Sequence, residues 1–249
     1  MLMKIILSPT KTMRVSYDDT IPLPKMIKDA AYIRAFLMAQ GRPTLRGIWK
    51  CNDKIIDENI NLFKQYDLYH NRTKAIYAYD GLQYKNIDID TLDDASIEYL
   101  DNNLRIISAM YGVLKPSDGI IPYRLELQAK CNIGTYTSMY EYWGRRIYDE
   151  ITPNEDLIIN LCSKEYSEVI ERYKDSNIKI ITINFYSLVD GKLKVKGTLA
   201  KMLRGRLVRY MAINKITTAD ELKGFNELGF EYSEENSTND TMNFINALA

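Results

Sequence analysis

Leu157-Ile158-Ile159-Asn160-Leu161-Cys162-Ser163-Lys164-Glu165-Tyr166 is the stretch that decides the class of fold. Residues 157–162 form a short, β-branched apolar run, the pattern of a buried strand. Ser163 then stands where a helix N-cap belongs, and a helical pattern follows over 163–173. A strand feeding directly into a helix recurs along the chain. Residues 4–7, 75–79, 104–110 and 178–185 read as further strands, and 24–40, 53–66, 92–102, 138–151 and 198–213 as helices. Gly41 closes the first of these helices and Pro43 opens another. Val189-Asp190-Gly191-Lys192 reads as a hairpin turn and breaks any regular βαβ rhythm. The expectation is a mixed α/β (α+β) fold, a mixed sheet flanked by helices, in a single compact domain over 1–249. No repeat or linker marks a boundary.

Composition narrows the function. In 249 residues, 33 Lys and Arg balance 33 Asp and Glu, so bulk charge cannot hold the chain on nucleic acid and any polyanion site must be local. A 46% hydrophobic content supports a core and argues against disorder. Three scattered cysteines (Cys51, Cys131, Cys162) and one histidine, His70, exclude a disulfide framework and argue against a His/Cys metal centre. Cys162, inside an apolar run, reads as a buried small residue. The opening run Met1-Leu2-Met3-Lys4-Ile5-Ile6-Leu7 is too short for a signal peptide, and no later segment is long enough to span a membrane. We therefore expect a cytoplasmic chain. The 19 tyrosines read as packing at the edge of the core.

Charge is nonetheless segregated. Residues 86–104 hold six acids and no base, 191–219 hold eight bases and no acid, and seven acids follow from Asp220 onward. On the 198–213 helix, stepping about 100° per residue from Lys201 puts Leu199, Leu203, Leu207, Tyr210 and Met211 on one face. Lys201, Arg204 and Arg209 fall opposite, with Arg206 at the edge. That face suits phosphate contacts, and equally a solvated or acid-neutralised surface.

Three turns following strands offer polar groups. Ser8-Pro9-Thr10-Lys11-Thr12 has a lysine between hydroxyls but no glycine-rich phosphate loop. Tyr123, Arg124 and Glu126 follow the 104–110 strand, with Arg124 and Glu126 spaced to project together. Asn160, Ser163 and Glu165 sit at the opening junction. Ser8, Lys11, Thr12, Tyr123, Arg124, Glu126, Asn160, Ser163 and Glu165 thus form a candidate ligand cleft, without a nucleophile–base pair that would mark an enzyme.

Several of these segments together resemble the YaaA peroxide-stress family. They are Leu7-Ser8-Pro9-Thr10-Lys11-Thr12, Tyr111-Gly112-Val113-Leu114-Lys115-Pro116, Pro122-Tyr123-Arg124-Leu125-Glu126, Tyr142-Trp143-Gly144, and Asn160-Leu161 with Ser163 and Glu165-Tyr166. Arg204-Gly205 with Arg209-Tyr210, and Gly224-Phe225-Asn226 with Gly229-Phe230, complete the set. Thr10 and Lys115 stand where members often carry alanine and arginine. The resemblance implies a protein of the hydrogen peroxide response that limits DNA damage, with a link to iron homeostasis. It implies a family-specific fold and binding of double-stranded DNA through a helix-hairpin-helix-like element. Here that element falls on 43–66, with Arg46, Lys50, Asn52 and Lys54 around its turn, although Lys50-Cys51-Asn52-Asp53 lacks the glycines of a typical one.

Two readings result. In the first, Lys11, Arg46, Lys50, Asn52, Lys54, Lys201, Arg204, Arg206 and Arg209 contact DNA phosphates, in a monomer without cofactor or metal. In the second, Lys11, Arg124, Ser163 and Glu165 converge on a small phosphate-bearing or nucleotide-like substrate; scattering of these residues would exclude it. Direct iron storage would need clustered carboxylates from the acidic stretches.

Overall fold

The computed structural model describes residues 3–16, 20–70, 72–175 and 177–246; Met1 and Leu2 of the N-terminal apolar run lie outside them. The strands are β1 (Met3–Leu7), β2 (Thr73–Lys74), β3 (Leu104–Ser108), β4 (Gly112–Leu114), β5 (Gly119–Ile120), β6 (Lys130–Ile133), β7 (Tyr136–Ser138), β8 (Leu157–Leu161), β9 (Lys179–Val189), β10 (Lys192–Lys194), β11 (Glu231–Tyr232) and β12 (Thr241–Asn246). The helices are α1 (Ile27–Met38), α2 (Arg42–Trp49), α3 (Asp53–Gln65), α4 (Ala75–Ala78), α5 (Leu82–Ile87), α6 (Asp94–Asn103), α7 (Met139–Trp143), α8 (Arg146–Ile151), α9 (Lys164–Glu171) and α10 (Gly197–Asn214).

The main sheet runs β11-β12-β9-β8-β1-β3-β4, with β10 paired to β9. Its centre is parallel: β8 and β3 flank β1, β9 joins β8, and β12 joins β9. β4, β10 and β11 add antiparallel margins. Every residue of β8 is buried, as in a strand covered on both faces, whereas β12 alternates buried and half-buried positions nearer the edge. The mixed α/β fold expected from the strand–helix junctions is the one observed.

The chain leaves β1 toward β3 on one side, and leaves β8 toward β9 on the other. Neighbouring parallel strands whose connections diverge leave a crevice beyond their carboxyl ends. Ser8 follows β1 and Ser163 lies two residues beyond β8, so both open into that crevice.

Two local expectations are corrected. Residues 75–79 are not a strand but the single-turn helix α4. The amides of Ala75 and Ile76 donate to the carbonyls of Asp118 and Pro116, which takes them away from any sheet partner. The 138–151 helix is two helices. Gly144, at φ 50°, ends α7, and α8 starts afresh. Trp143 at that break is fully buried and donates its indole N–H to the carbonyl of Ala109 at 2.8 Å. The hairpin is present as read: Val189 pairs with Lys192 across Asp190 (φ 54°) and Gly191 (φ 71°), the left-handed pair a two-residue turn requires.

Helix α10 docks more completely than its sequence pattern implies. Ala200, Leu203, Gly205, Leu207, Val208, Met211 and Ala212 are all buried. Gly205 lies against α5 so tightly that a Cβ there would sit 2.0 Å from the Gln83 carbonyl oxygen. This close approach turns part of the charged side of α10 toward protein, while Lys201 stays exposed. The tyrosines extend the same pattern: Tyr79, Tyr111, Tyr123 and Tyr148 are core residues, and the Tyr79 and Tyr123 hydroxyls meet at 2.7 Å.

Candidate functional site

A cleft of about 380 Å³ opens at the carboxyl ends of β1 and β8. Five segments line it: Ser8 to Lys11 after β1, Gly81 to Gln83 at the start of α5, Tyr123 to Glu126, Ser163 with Tyr166 at α9, and Lys201 with Arg204 on α10. Of the residues assigned to a ligand cleft from sequence, Ser8, Lys11, Tyr123, Arg124, Glu126 and Ser163 are therefore together. Two residues assigned to DNA, Lys201 and Arg204, join them.

The back wall is tied together by hydrogen bonds. The Ser8 carbonyl accepts hydrogen bonds from Gln83 Nε2 and the Tyr84 hydroxyl, both at 2.9 Å. Ser8 Oγ accepts from the Ser163 amide at 2.8 Å and lies 3.3 Å from Ser163 Oγ. Ser163 occupies the N-cap of α9, but its hydroxyl makes no capping bond and faces Ser8 instead. The Tyr123 hydroxyl contacts Ser108 Oγ at 2.8 Å, and burial pushes its pKa up to about 12. It is a neutral wall, and so is Tyr166, whose burial raises it further.

Electrostatics decide what the cleft can hold. Lys11 Nζ pairs with Glu126 Oε1 at 2.5 Å. Arg124 does not pair with Glu126; its Nε approaches the Trp49 carbonyl at 3.5 Å. Among the described residues, Arg124, Lys201 and Arg204 have no carboxylate partner within ion-pair distance. Arg204 is the most constrained. Its Nε is buried without a hydrogen-bond partner, and desolvation lowers its pKa from the ordinary arginine value. Glu165 stands at the flank, where its Oε1 accepts from the Gln128 amide at 3.3 Å. Burial raises its pKa, and Glu126 adds to the shift.

Other candidates have local duties. Asn160 is buried within β8: its Nδ2 donates to Thr182 Oγ1 at 3.1 Å and its Oδ1 accepts from the Cys162 amide at 3.0 Å. Thr12 lies beyond the lining and gives its carbonyl to the Asp80 amide. Arg206 pairs with Glu227 at 2.6 Å, and Arg209 donates to the carbonyls of Ile87 and Asp88 at the end of α5. The basic helix is thus split between an open cleft and a neutralised recess. In the 43–66 element, α2 and α3 flank a short turn. Arg46 pairs with Asp53, and Asn52 caps α3 by accepting from the Ile55 amide. Lys50, left-handed at φ 45°, and Lys54 are exposed. Arg124 connects this turn to the cleft, since the Trp49 carbonyl it touches immediately precedes Lys50.

Sequence reading placed the Thr10 hydroxyl beside Lys11 but gave no site role to Pro9, Gly81, Leu82, Gln83, Leu125 or Tyr166. Gly81 was the usable signal: Thr10 leaves no room for a Cβ there, the nearest contact being 2.5 Å. Cys162 is buried, with its thiol pushed up to about 12. Among the described residues, no three His, Cys, Asp or Glu side chains gather as metal ligands, and no helix is long and apolar enough to cross a membrane.

The sequence pattern of the family described as "Peroxide stress protein YaaA" matches residues 3–236. A UPF0246 protein of Agathobacter rectalis is 43% identical, covering 99% of this chain and 100% of the relative. UPF0246 proteins of Desulfitobacterium hafniense and Pediococcus pentosaceus are 40% and 37% identical, each covering 98% or more of both chains.

Proposed function

The chain belongs to the peroxide stress protein YaaA family, and from this we propose that it serves the hydrogen peroxide response through a cleft that binds phosphate-bearing ligands. One observation carries the reading: Arg124, Lys201 and Arg204 converge on one concavity with no carboxylate partner among the described residues, and the buried Arg204 Nε has no hydrogen-bond partner among them. A desolvated guanidinium left unpaired is costly, and an anion seated beside it recovers that cost. The cleft lies at a switch point of a parallel sheet, where α/β folds commonly hold phosphate groups. Lys11, Arg124 and Ser163 line it together and Glu165 flanks it, which supports the small-ligand reading.

Thermal melts with pyrophosphate test this. Stabilisation is expected in the wild type and lost in Lys201→Ala and Arg124→Ala; no stabilisation and no calorimetric binding of any phosphate compound overturns it. In cells, the same variants are expected to lose protection against hydrogen peroxide.

Double-stranded DNA is a second reading, favoured by the Arg124–Trp49 contact that joins the cleft to the exposed Lys50 and Lys54. It requires binding that falls steeply with salt, with a slope about one unit shallower for each phosphate contact removed by Lys50→Ala or Lys54→Ala.

A further inference from the structure

We infer that the floor of the cleft seats a phosphomonoester, the terminal phosphate of a nucleotide or of a nucleic-acid strand, in preference to an internal phosphodiester. The inference rests on the reading of the cleft as a phosphate site and names the chemical class it selects.

Charge is the first argument. The lining carries four bases (Lys11, Arg124, Lys201, Arg204) and one acid (Glu126), a net of +3. Lys11 is already occupied by Glu126, which leaves three cations for the ligand. A phosphodiester brings one negative charge, whereas a monoester brings about −1.5 to −2 at neutral pH and three acceptor oxygens. Only the monoester approaches neutralisation of a partly desolvated set.

Shape is the second. A diester needs two ways out, one for each substituent, while a monoester enters end-on. The Ser8 side is closed by the Gln83 and Tyr84 bonds to its carbonyl, and Gly81 is pressed against Thr10. Tyr123 and Tyr166 are buried walls. The volume, about 380 Å³, is that of a single small-ligand site.

Donors are the third. The Ser163 hydroxyl leaves its own helix uncapped and stands with Ser8 Oγ beside the cleft. The first-turn amides of Lys164 and Glu165 have no intrahelical acceptor, so the positive end of an eight-residue helix lies next to the unpaired cations. Neither feature alone would define a site; together with Arg204 they form one.

The test compares matched pairs. Adenosine monophosphate is titrated against adenosine by calorimetry. An internally labelled oligonucleotide with phosphate ends is compared, by anisotropy, with the same strand ending in hydroxyls. The phosphate-bearing partner of at least one pair is expected to bind about tenfold tighter or more, the worth of a charge-assisted hydrogen bond. Preference in the nucleotide pair alone assigns a free nucleotide; preference in the oligonucleotide pair assigns a strand end. Lys201→Ala, an exposed position, is expected to abolish the preference. Equal binding within both pairs, or a preference that survives Lys201→Ala and Arg124→Ala, overturns the inference. If adenosine monophosphate is not preferred over adenosine, hydroxyl-ended strands bind as well as phosphate-ended ones and Lys201→Ala weakens both strands, the monoester seat falls while the phosphate-binding cleft stands. If no phosphate compound binds, both fall.

Discussion

Replacing Gly205 by alanine would add one methyl group at the tightest contact between α10 and α5. The new Cβ would lie 2.0 Å from the Gln83 carbonyl oxygen, 2.9 Å from Asn86 Cβ and 3.0 Å from the Gln83 carbonyl carbon. Backbone atoms cannot swing aside as a flexible side chain would, so the two helices must part by about 1 Å before the contact is tolerable. Overpacking of this kind costs about 1–3 kcal/mol and occasionally more; with backbone as the obstacle, we place Gly205→Ala at about 3 kcal/mol. For a domain of this size that lowers Tm by roughly 6–12 °C. The shift also reaches the cleft, because α5 carries Gln83 and Tyr84, which hold the Ser8 carbonyl, while α10 carries Lys201 and Arg204. Pyrophosphate affinity should therefore fall with stability. Gly47→Ala is the control: nothing lies within 4 Å of its Cβ, and it sits inside α2. Alanine there should stabilise by up to about 1 kcal/mol through helix propensity. Thermal melts of both variants check the reasoning. Gly205→Ala melting with the wild type, or Gly47→Ala falling as far, would refute the claim that this glycine sets the position of α10.

Arg204→Met should raise the stability of the ligand-free protein, on the order of 1 kcal/mol, by removing a desolvated and unpaired charge. Phosphate binding should be lost in the same variant; denaturant unfolding with a parallel titration checks both halves, and a less stable Arg204→Met that still binds contradicts them. Asp118 is 7% exposed, and burial raises its pKa to about 6. A carboxyl raised above its unfolded value near 4 binds its proton more tightly in the folded state, so its contribution is present at low pH and disappears as pH climbs from about 4 to about 6. Asp118→Asn should consequently match the wild type near pH 4 and exceed it by up to about 3 kcal/mol at pH 7, as unfolding curves at the two pH values would show. Cys162 and Cys131, whose thiols burial raises to about 12 and about 11, should resist alkylation and hydrogen peroxide until the protein unfolds, with half-exposed Cys51 labelled first. Mass spectrometry that found Cys162 oxidised in folded protein would reverse that order.

What the sequence settled by itself was local or compositional. Strands formed within the apolar runs 4–7, 104–110, 157–162 and 178–185, with 109–110 in a turn, because continuous β-branched burial has few other uses, and Asp190-Gly191 became a hairpin turn because few residues tolerate two left-handed positions in succession. The short turns around Ser8, Tyr123 and Ser163 were legible as loops beyond strands. Residues 75–79 misled because their amides are taken by a turn some forty residues further on, a partner no local pattern contains.

Tertiary structure alone decided which of these turns meet. The order of strands in the sheet put the ends of β1 and β8 side by side and made Ser8 and Ser163 neighbours. It also decided the fate of the basic helix. A helical projection separates apolar from charged faces but cannot show that Gly205 admits α5 against the charged side. That contact sets Arg209 against the carbonyls at the end of α5 with Arg204 at the cleft, while Glu227 of the C-terminal segment neutralises Arg206. The physical reason is one of range: helix and strand patterns are written over a few residues, whereas the pairing of a charge depends on which distant segment packs beside it.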